Sequence, residues 1–135
     1  MSIEYLVETD WAVHWLRGKE DIVAKLKELQ PAGIGLSIIS LAELYTGIYY
    51  STDPARAAEG LEDFLSIVTV LGLDEEVCLI FGRENARLRK AGQIIEDFDL
   101  LIAATCLHYD LKLLTNNLRH FQRIEGLEII STEPR

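Results

Sequence analysis

Apolar residues fall into short runs separated by segments in which they recur every three or four positions, an alternation of strand-like and helix-like patterning. Ile3 to Val7 reads as a short strand. Thr9 then stands where it would cap a helix carrying Trp11 and Trp15 on one face, ended by Gly18. Ile22, Leu26 and Leu29 at i, i+4, i+7 mark a second helix. Gly33 to Ile39 returns to a strand-like run, after which Ser40 and Glu43 have the S-x-x-E spacing of a capping box, opening a helix through Tyr50. Asp53-Pro54 is an N-cap followed by a proline at the first helical position, heading a helix with Leu61, Leu65 and Val68 on its buried stripe. Val70 heads a short extended link. Asp74 caps a helix running to Ala91, with Gly92 the left-handed residue past its end. Asp97 opens another, with Leu101, Ala104, Thr105 and His108 on one face. Leu111 to Thr115 and Leu127 to Ile130 read as the last two strands, flanking a short helical piece at Leu118 to Phe121.

Apolar strands alternating with helices predict an α/β domain whose small, mainly parallel sheet is covered by helices on both faces. No internal period, low-complexity tract or linker divides residues 1–135, and Pro31, Pro54 and Pro134 sit at element boundaries, so a single domain is expected. In such sheets ligands bind beyond the carboxyl ends of the strands.

A hydrophobic content of 49% over 135 residues suits one core-forming domain. Charge changes the picture more: 13 Lys+Arg against 22 Asp+Glu give a net charge of −9, so overall charge does not draw nucleic acid to this chain. A nucleic-acid role needs a bridging cation or a local basic patch. Glu4, Glu8 and Asp10 interrupt the first apolar stretch and no basic segment precedes it, which does not read as a secretory signal; a cytoplasmic location is expected. Gly33 to Tyr50 is broken by Glu43, and Leu100 to Leu107 falls far short of the ~20 residues that span a bilayer, so no membrane segment is expected. Cys78 and Cys106 stand alone in apolar contexts and read as buried free thiols rather than a disulfide or zinc site.

Sorted by position, several acids fall at one edge of the expected sheet: Glu8 and Asp10 after the first strand, Glu43 after the second, Asp97 and Asp99 opening a later helix, with Asn117 after a further strand. Each has a bland role, Glu43 in the capping box and the others beside helix dipoles. Together they form a like-charged cluster that protonation or a hard divalent cation relieves, and Glu8, Glu43 and Asp99 are expected close enough to share one. None of Ser40, Cys78 or Cys106 has the turn or histidine partner of a covalent nucleophile.

Four stretches, Tyr5-Leu6-Val7-Glu8-Thr9-Asp10, Ser40-Leu41-Ala42-Glu43-Leu44, Asp97 through Thr105, and Leu113 through Phe121, closely resemble PIN-domain proteins, especially VapC-type toxins of toxin-antitoxin pairs. The more specific elements are D-x-x-I-A-A at Asp99 to Ala104 and T-N-N-x-x-x-F at Thr115 to Phe121. The resemblance implies a PIN-like fold and a Mg²⁺- or Mn²⁺-dependent endoribonuclease acting on RNA, neutralised by a cognate antitoxin and assembling as a homodimer. Residue by residue, Glu43 and Asp99 match the second and third family acids, and Asn117 the fourth position. His120 lies where some relatives carry an acid, and Asp97 is a supplementary metal-ligand candidate. Thr9, Thr115 and Asn117 suit roles orienting the carboxylates or a water.

The chain departs from the family pattern at Glu8, where Asp is the rule. One extra methylene moves the carboxylate by roughly a bond length, a large change for Mg²⁺ with its near-octahedral ligands at ~2.0–2.1 Å. The site is then either adapted or impaired, and a non-catalytic PIN-like module binding RNA or antitoxin stands as the alternative. A phosphatase with an Asp nucleophile is disfavoured because Glu8 replaces that nucleophile, and a phosphoryl-accepting receiver domain is weaker still. For RNA-backbone contact the candidates are Arg83, which recurs with Arg87 and Lys90 on one helix face, and Arg119 and His120 beside Asn117; the bland reading is a solvated basic helix end. Trp11, Trp15, Tyr45, Tyr49 and Tyr50 either line a groove for a partner helix or fill core and surface gaps, and core is the safer assignment for each singly.

Overall fold

A computed structural model describes residues 2–133; Pro134, and with it the boundary expected there, lies outside the described residues. Among these, five parallel strands form one sheet in the order β3-β2-β1-β4-β5, where β1 is Tyr5–Val7, β2 Ile34–Ser37, β3 Thr69–Leu71, β4 Lys112–Leu114 and β5 Ile129–Ile130. Seven helices surround it: α1 (Thr9–Leu16), α2 (Glu20–Leu29), α3 (Ile38–Tyr50), α4 (Pro54–Leu65), α5 (Glu75–Lys90), α6 (Asp97–His108) and α7 (Leu118–Phe121).

The period-2 geometry of a strand sends neighbouring side chains to opposite faces. Val7 and Leu114 accordingly join Trp11, Ile22, Leu26, Leu44, Leu61 and Phe64 from α1 to α4 on one side. Leu6 and Leu113 join Leu88, Leu100, Ile102, Ala103 and Phe121 from α5 to α7 on the other. Both faces of the sheet are therefore buried, as the apolar strand runs predict. No helix among the described residues is long and apolar enough to cross a membrane.

Several local expectations need correction. The strand expected from Gly33 to Ile39 ends at Ser37, whose extended backbone and Oγ, accepting the Ile39 N–H at 3.1 Å, cap α3. Ile38 and Ile39 thus form the first helical turn despite their β-branched side chains, and Ser40 lies inside the helix, so no Ser40–Glu43 capping box exists. Likewise Glu8, not Thr9, caps α1, its carboxylate accepting the Asp10 N–H. Val70 belongs to a true edge strand. α4 stops at Leu65, leaving Val68 outside it, and Leu61 and Phe64 are its buried residues. On α5 the buried positions are Val77, Glu84 and Leu88, which turns Cys78 outward, so only Cys106 is the buried thiol expected. There burial pushes the Cys106 thiol up to about 12.

Candidate active site

The central strand β1 has its sequence successor β2 on one side and β4 on the other, so the connections diverge at its carboxyl end, the position at which sheets of this kind bind ligands. Glu8 follows β1 directly and is buried, 3% exposed. Its Oε2 accepts the Asp10 N–H at 3.0 Å and its Oε1 lies 3.0 Å from the Thr115 hydroxyl, at the end of β4. That hydroxyl also faces Asp10 Oδ1 at 3.2 Å and accepts the Asn117 N–H at 3.0 Å, so one small side chain links the first acidic segment to the last. Asp10 is further held by the Trp11 N–H on Oδ1 at 2.8 Å and the Asn116 N–H on Oδ2 at 2.9 Å.

Glu43, in the second turn of α3, is reached from α1 by Thr9, whose hydroxyl donates to Oε1 at 2.7 Å and is also hydrogen-bonded to Ser40 Oγ at 2.8 Å. The structure thus gives Ser40 and Glu43 a shared partner in place of the helix cap expected of them. Asp99, in the first turn of α6, is mostly buried and pairs through Oδ2 with His120 Nδ1 at 2.9 Å. His120 is set there by α7, which starts after Asn117; the Asn117 side chain is half-buried and makes no cap hydrogen bond.

Electrostatics ties these acids into one field. Burial first, and the Asp10 charge second, push the Glu8 carboxyl up to about 8. Burial also raises Asp10 and Glu43. The Asp99 charge adds a smaller upward push on both Glu8 and Glu43. No three His, Cys, Asp or Glu side chains among the described residues form a ready-made metal-ligand set. The donor chemistry nevertheless suits a hard cation: every group is an oxygen donor, and carboxylates held partly desolvated against their mutual repulsion are stabilised by a divalent ion.

Other candidates fall outside this cluster. Asp97 is exposed at the first position of α6 and makes no hydrogen bond or ion pair among the described residues. Arg83 and Arg119 are exposed, whereas Arg87 turns inward to donate to Glu84 Oε1 at 2.9 Å and to the Arg123 carbonyl at 3.2 Å. Trp11 is fully buried and Trp15 packs against Phe64 with centroids 5.8 Å apart, while Tyr45, Tyr49 and Tyr50 are exposed, against the core assignment. The residue that sequence patterning missed is Asn116, whose backbone and side chain both bind site neighbours. Only its place in the T-N-N run hinted at it.

A five-stranded parallel sheet layered between helices, with acidic side chains beyond the carboxyl end of its central strand, defines an α/β class of protein. The PIN domain model matches residues 5–127, and the chain belongs to that family. Ribonuclease VapC2 of Haemophilus influenzae is 34% identical over 127 residues, covering 93% of this chain and 95% of the relative. The tRNA(fMet)-specific endonuclease VapC of Salmonella typhimurium is 28% identical over 127 residues, covering 94% and 96% respectively. The crystal structure of VapBC2 from Rickettsia felis, bound to a DNA fragment from their promoter, superposes with a TM-score of 0.91 at 27% identity, covering 97% of this chain and all of the other.

Proposed function

We propose that this chain is a divalent-metal-dependent endoribonuclease toxin of the VapC type, one PIN-like domain over residues 1–135, working in the cytoplasm under a cognate antitoxin. The observation that carries this reading is the hydrogen-bond linkage at the carboxyl edge of β1, where Thr9, next to Glu8 in the chain, holds Glu43 and Thr115 holds Glu8 and Asp10, with the Asp99 charge adding to the upward push on Glu8 and Glu43. Family membership and the VapC relatives support it.

Glu43 and Asp99 would hold Mg²⁺ or Mn²⁺, with Glu8 the third ligand, while Asp97, exposed and outside the cluster, is left out of the set. When bound, such an ion supplies activation of a water and stabilisation of the leaving oxygen in phosphodiester hydrolysis. The chain's own residues do the rest. The Thr9 hydroxyl fixes the Glu43 carboxylate, His120 fixes Asp99, and Thr115 fixes Glu8. Asn117, half-buried just after Thr115, would orient a water or a phosphate oxygen. Arg119 and Arg83, both exposed, contact the RNA backbone and offset the net charge of −9.

A groove of about 530 Å³ between α1, α3 and α4 is lined by Val13, Leu16, Leu44 and Ile48 together with Glu43 and Arg56. Its apolar floor suits the antitoxin peptide. The exposed α3 face carrying Ile38, Tyr45 and Tyr49 suits a second copy of the chain in a homodimer.

The second reading, a PIN-like module that binds without cleaving, draws on the engagement of both Glu8 oxygens by protein donors. Cleavage of RNA by the purified chain with Mn²⁺, and its loss on chelation and in Asp99→Asn, tests the nuclease reading. Absence of cleavage with antitoxin binding retained would favour the module.

A further inference from the structure

Asn116 follows Thr115, and its side chain is hydrogen-bonded to two distant segments, Trp11 of α1 and Ser131–Thr132 beyond β5. Its Oδ1 accepts the Trp11 indole N–H at 3.0 Å, the Ser131 hydroxyl at 2.8 Å and the Thr132 N–H at 3.0 Å, while its Nδ2 donates to Thr132 Oγ1 at 2.9 Å. This pattern fixes the amide orientation, because the flipped amide would turn its NH₂ toward the indole and the Thr132 N–H, both obligatory donors. The backbone N–H of the same residue donates to Asp10 Oδ2 at 2.9 Å. Asn116 therefore joins α1, the loop after β4 and the chain beyond β5 through five hydrogen bonds from one residue.

The join carries weight because β5 is only Ile129–Ile130, an edge strand too short for its own ladder to fix the segment that follows. Past it, the ion pair between Lys19 and Glu133 spans 3.9 Å between exposed side chains and contributes little. On the other side, Thr115, the residue next to Asn116, holds Glu8 Oε1 with its hydroxyl while its own N–H donates to the Ile130 carbonyl at the end of β5, just before Ser131.

We propose that Asn116 is a positioning residue that couples the C-terminal segment Ser131–Thr132 to the acidic cleft, so that divalent-cation affinity depends on side chains that never touch the cation. This inference rests on the reading that Glu8, Glu43 and Asp99 hold the ion. Trp11 is part of the device: its buried indole gives the loop after β4 a rigid wall and a single donor in register with the Asn116 oxygen.

The test is Mn²⁺ titration of the full chain, following free Mn²⁺ by electron paramagnetic resonance at a temperature where every variant is folded. Wild type is compared with Asn116→Ala, a Ser131→Ala/Thr132→Val double variant and Asp99→Asn. Expected is a loss of Mn²⁺ affinity of about tenfold or more in Asn116→Ala, the range seen when residues that orient metal ligands are removed. The tail double variant shifts affinity in the same direction by less, and in both the Trp11 indole N–H resonance moves in nitrogen–proton correlation spectra. A purely structural role would lower the melting temperature and leave the Mn²⁺ affinity of the folded chain unchanged, and that result overturns the proposal. If Asn116→Ala does not fold, the tail variant decides: wild-type affinity there also overturns it. Indifference of Mn²⁺ binding to Asp99→Asn instead overturns the underlying site reading, and the coupling with it.

Discussion

Glu8 combines two duties that an aspartate divides less easily. Its longer side chain bends back to cap α1 through the Asp10 N–H and meets Thr115 with its other oxygen, so the extra methylene is absorbed within the protein. Shortening it by Glu8→Asp keeps the charge and leaves an N-cap residue of the favoured kind. RNA cleavage with Mg²⁺ is expected to rise in that variant, with little change in metal-free melting; equal or lower cleavage would mark Glu8 as an adapted ligand. Burial gives the same residue a pH signature. Its folded-state value, about 8, lies above the ordinary 4.5, so the unfolded state releases the proton first as pH rises. Its contribution to metal-free stability is thus complete below the ordinary value and is lost as pH climbs through about 8. Melting temperatures in chelator should fall across that window, and saturating Mn²⁺ should flatten the fall by stabilising the charged native form. At this scale Glu43 and Asp99 stood out as candidates because each sits in a recognisable motif in the first turns of a helix, Glu43 in α3 after β2 and Asp99 in α6. Asn116 was not, since its partners Trp11 and Thr132 lie 105 and 16 residues away along the chain.

Elements were legible where one local signal dominated and blurred where two competed. Asp53-Pro54, Asp74 and Gly92 mark helix ends correctly, and Gly92 adopts the left-handed φ of 69° that its place past α5 requires. The start of α3 was misread because Ile38 and Ile39 carry strand propensity, yet Ser37 supplies the cap as β2 ends. Replacing that cap by Ser37→Ala is expected to destabilise the fold by about 1 kcal/mol, measured by urea denaturation. Ser40→Ala should cost no cap and should act instead through Thr9 and Glu43. At Gly33 a Cβ would sit 2.4 Å from the Ser2 carbonyl oxygen at a φ of 91°, so Gly33→Ala should destabilise by more than about 1 kcal/mol in the same assay.

For the whole molecule, the parallel sheet buried on both faces followed directly from uninterrupted apolar strands, and the location of the acids followed from the sheet. Partner surfaces were less legible, because periodicity does not say which of two apolar helix faces is covered: both tryptophans are packed inward while Tyr49 and Tyr50 are 81% and 87% exposed. A net charge of −9 sets the terms for RNA, which must be held by local bases and the cation together. Arg119→Ala is expected to weaken RNA binding without changing sequence preference. It should also reduce the slope of log affinity against log salt by about 0.7, the share of one single-strand phosphate contact. The central claim, that the clustered carboxylates are one cation-dependent cleavage site, is tested most directly by single-turnover RNA cleavage in Mn²⁺ by wild type and Glu43→Gln, with the fold of each checked by melting. The account predicts cleavage by the wild type that chelator abolishes, and a drop of about tenfold or more in a Glu43→Gln protein that melts normally. Equal cleavage rates in the two proteins, or cleavage that survives chelation, would contradict it.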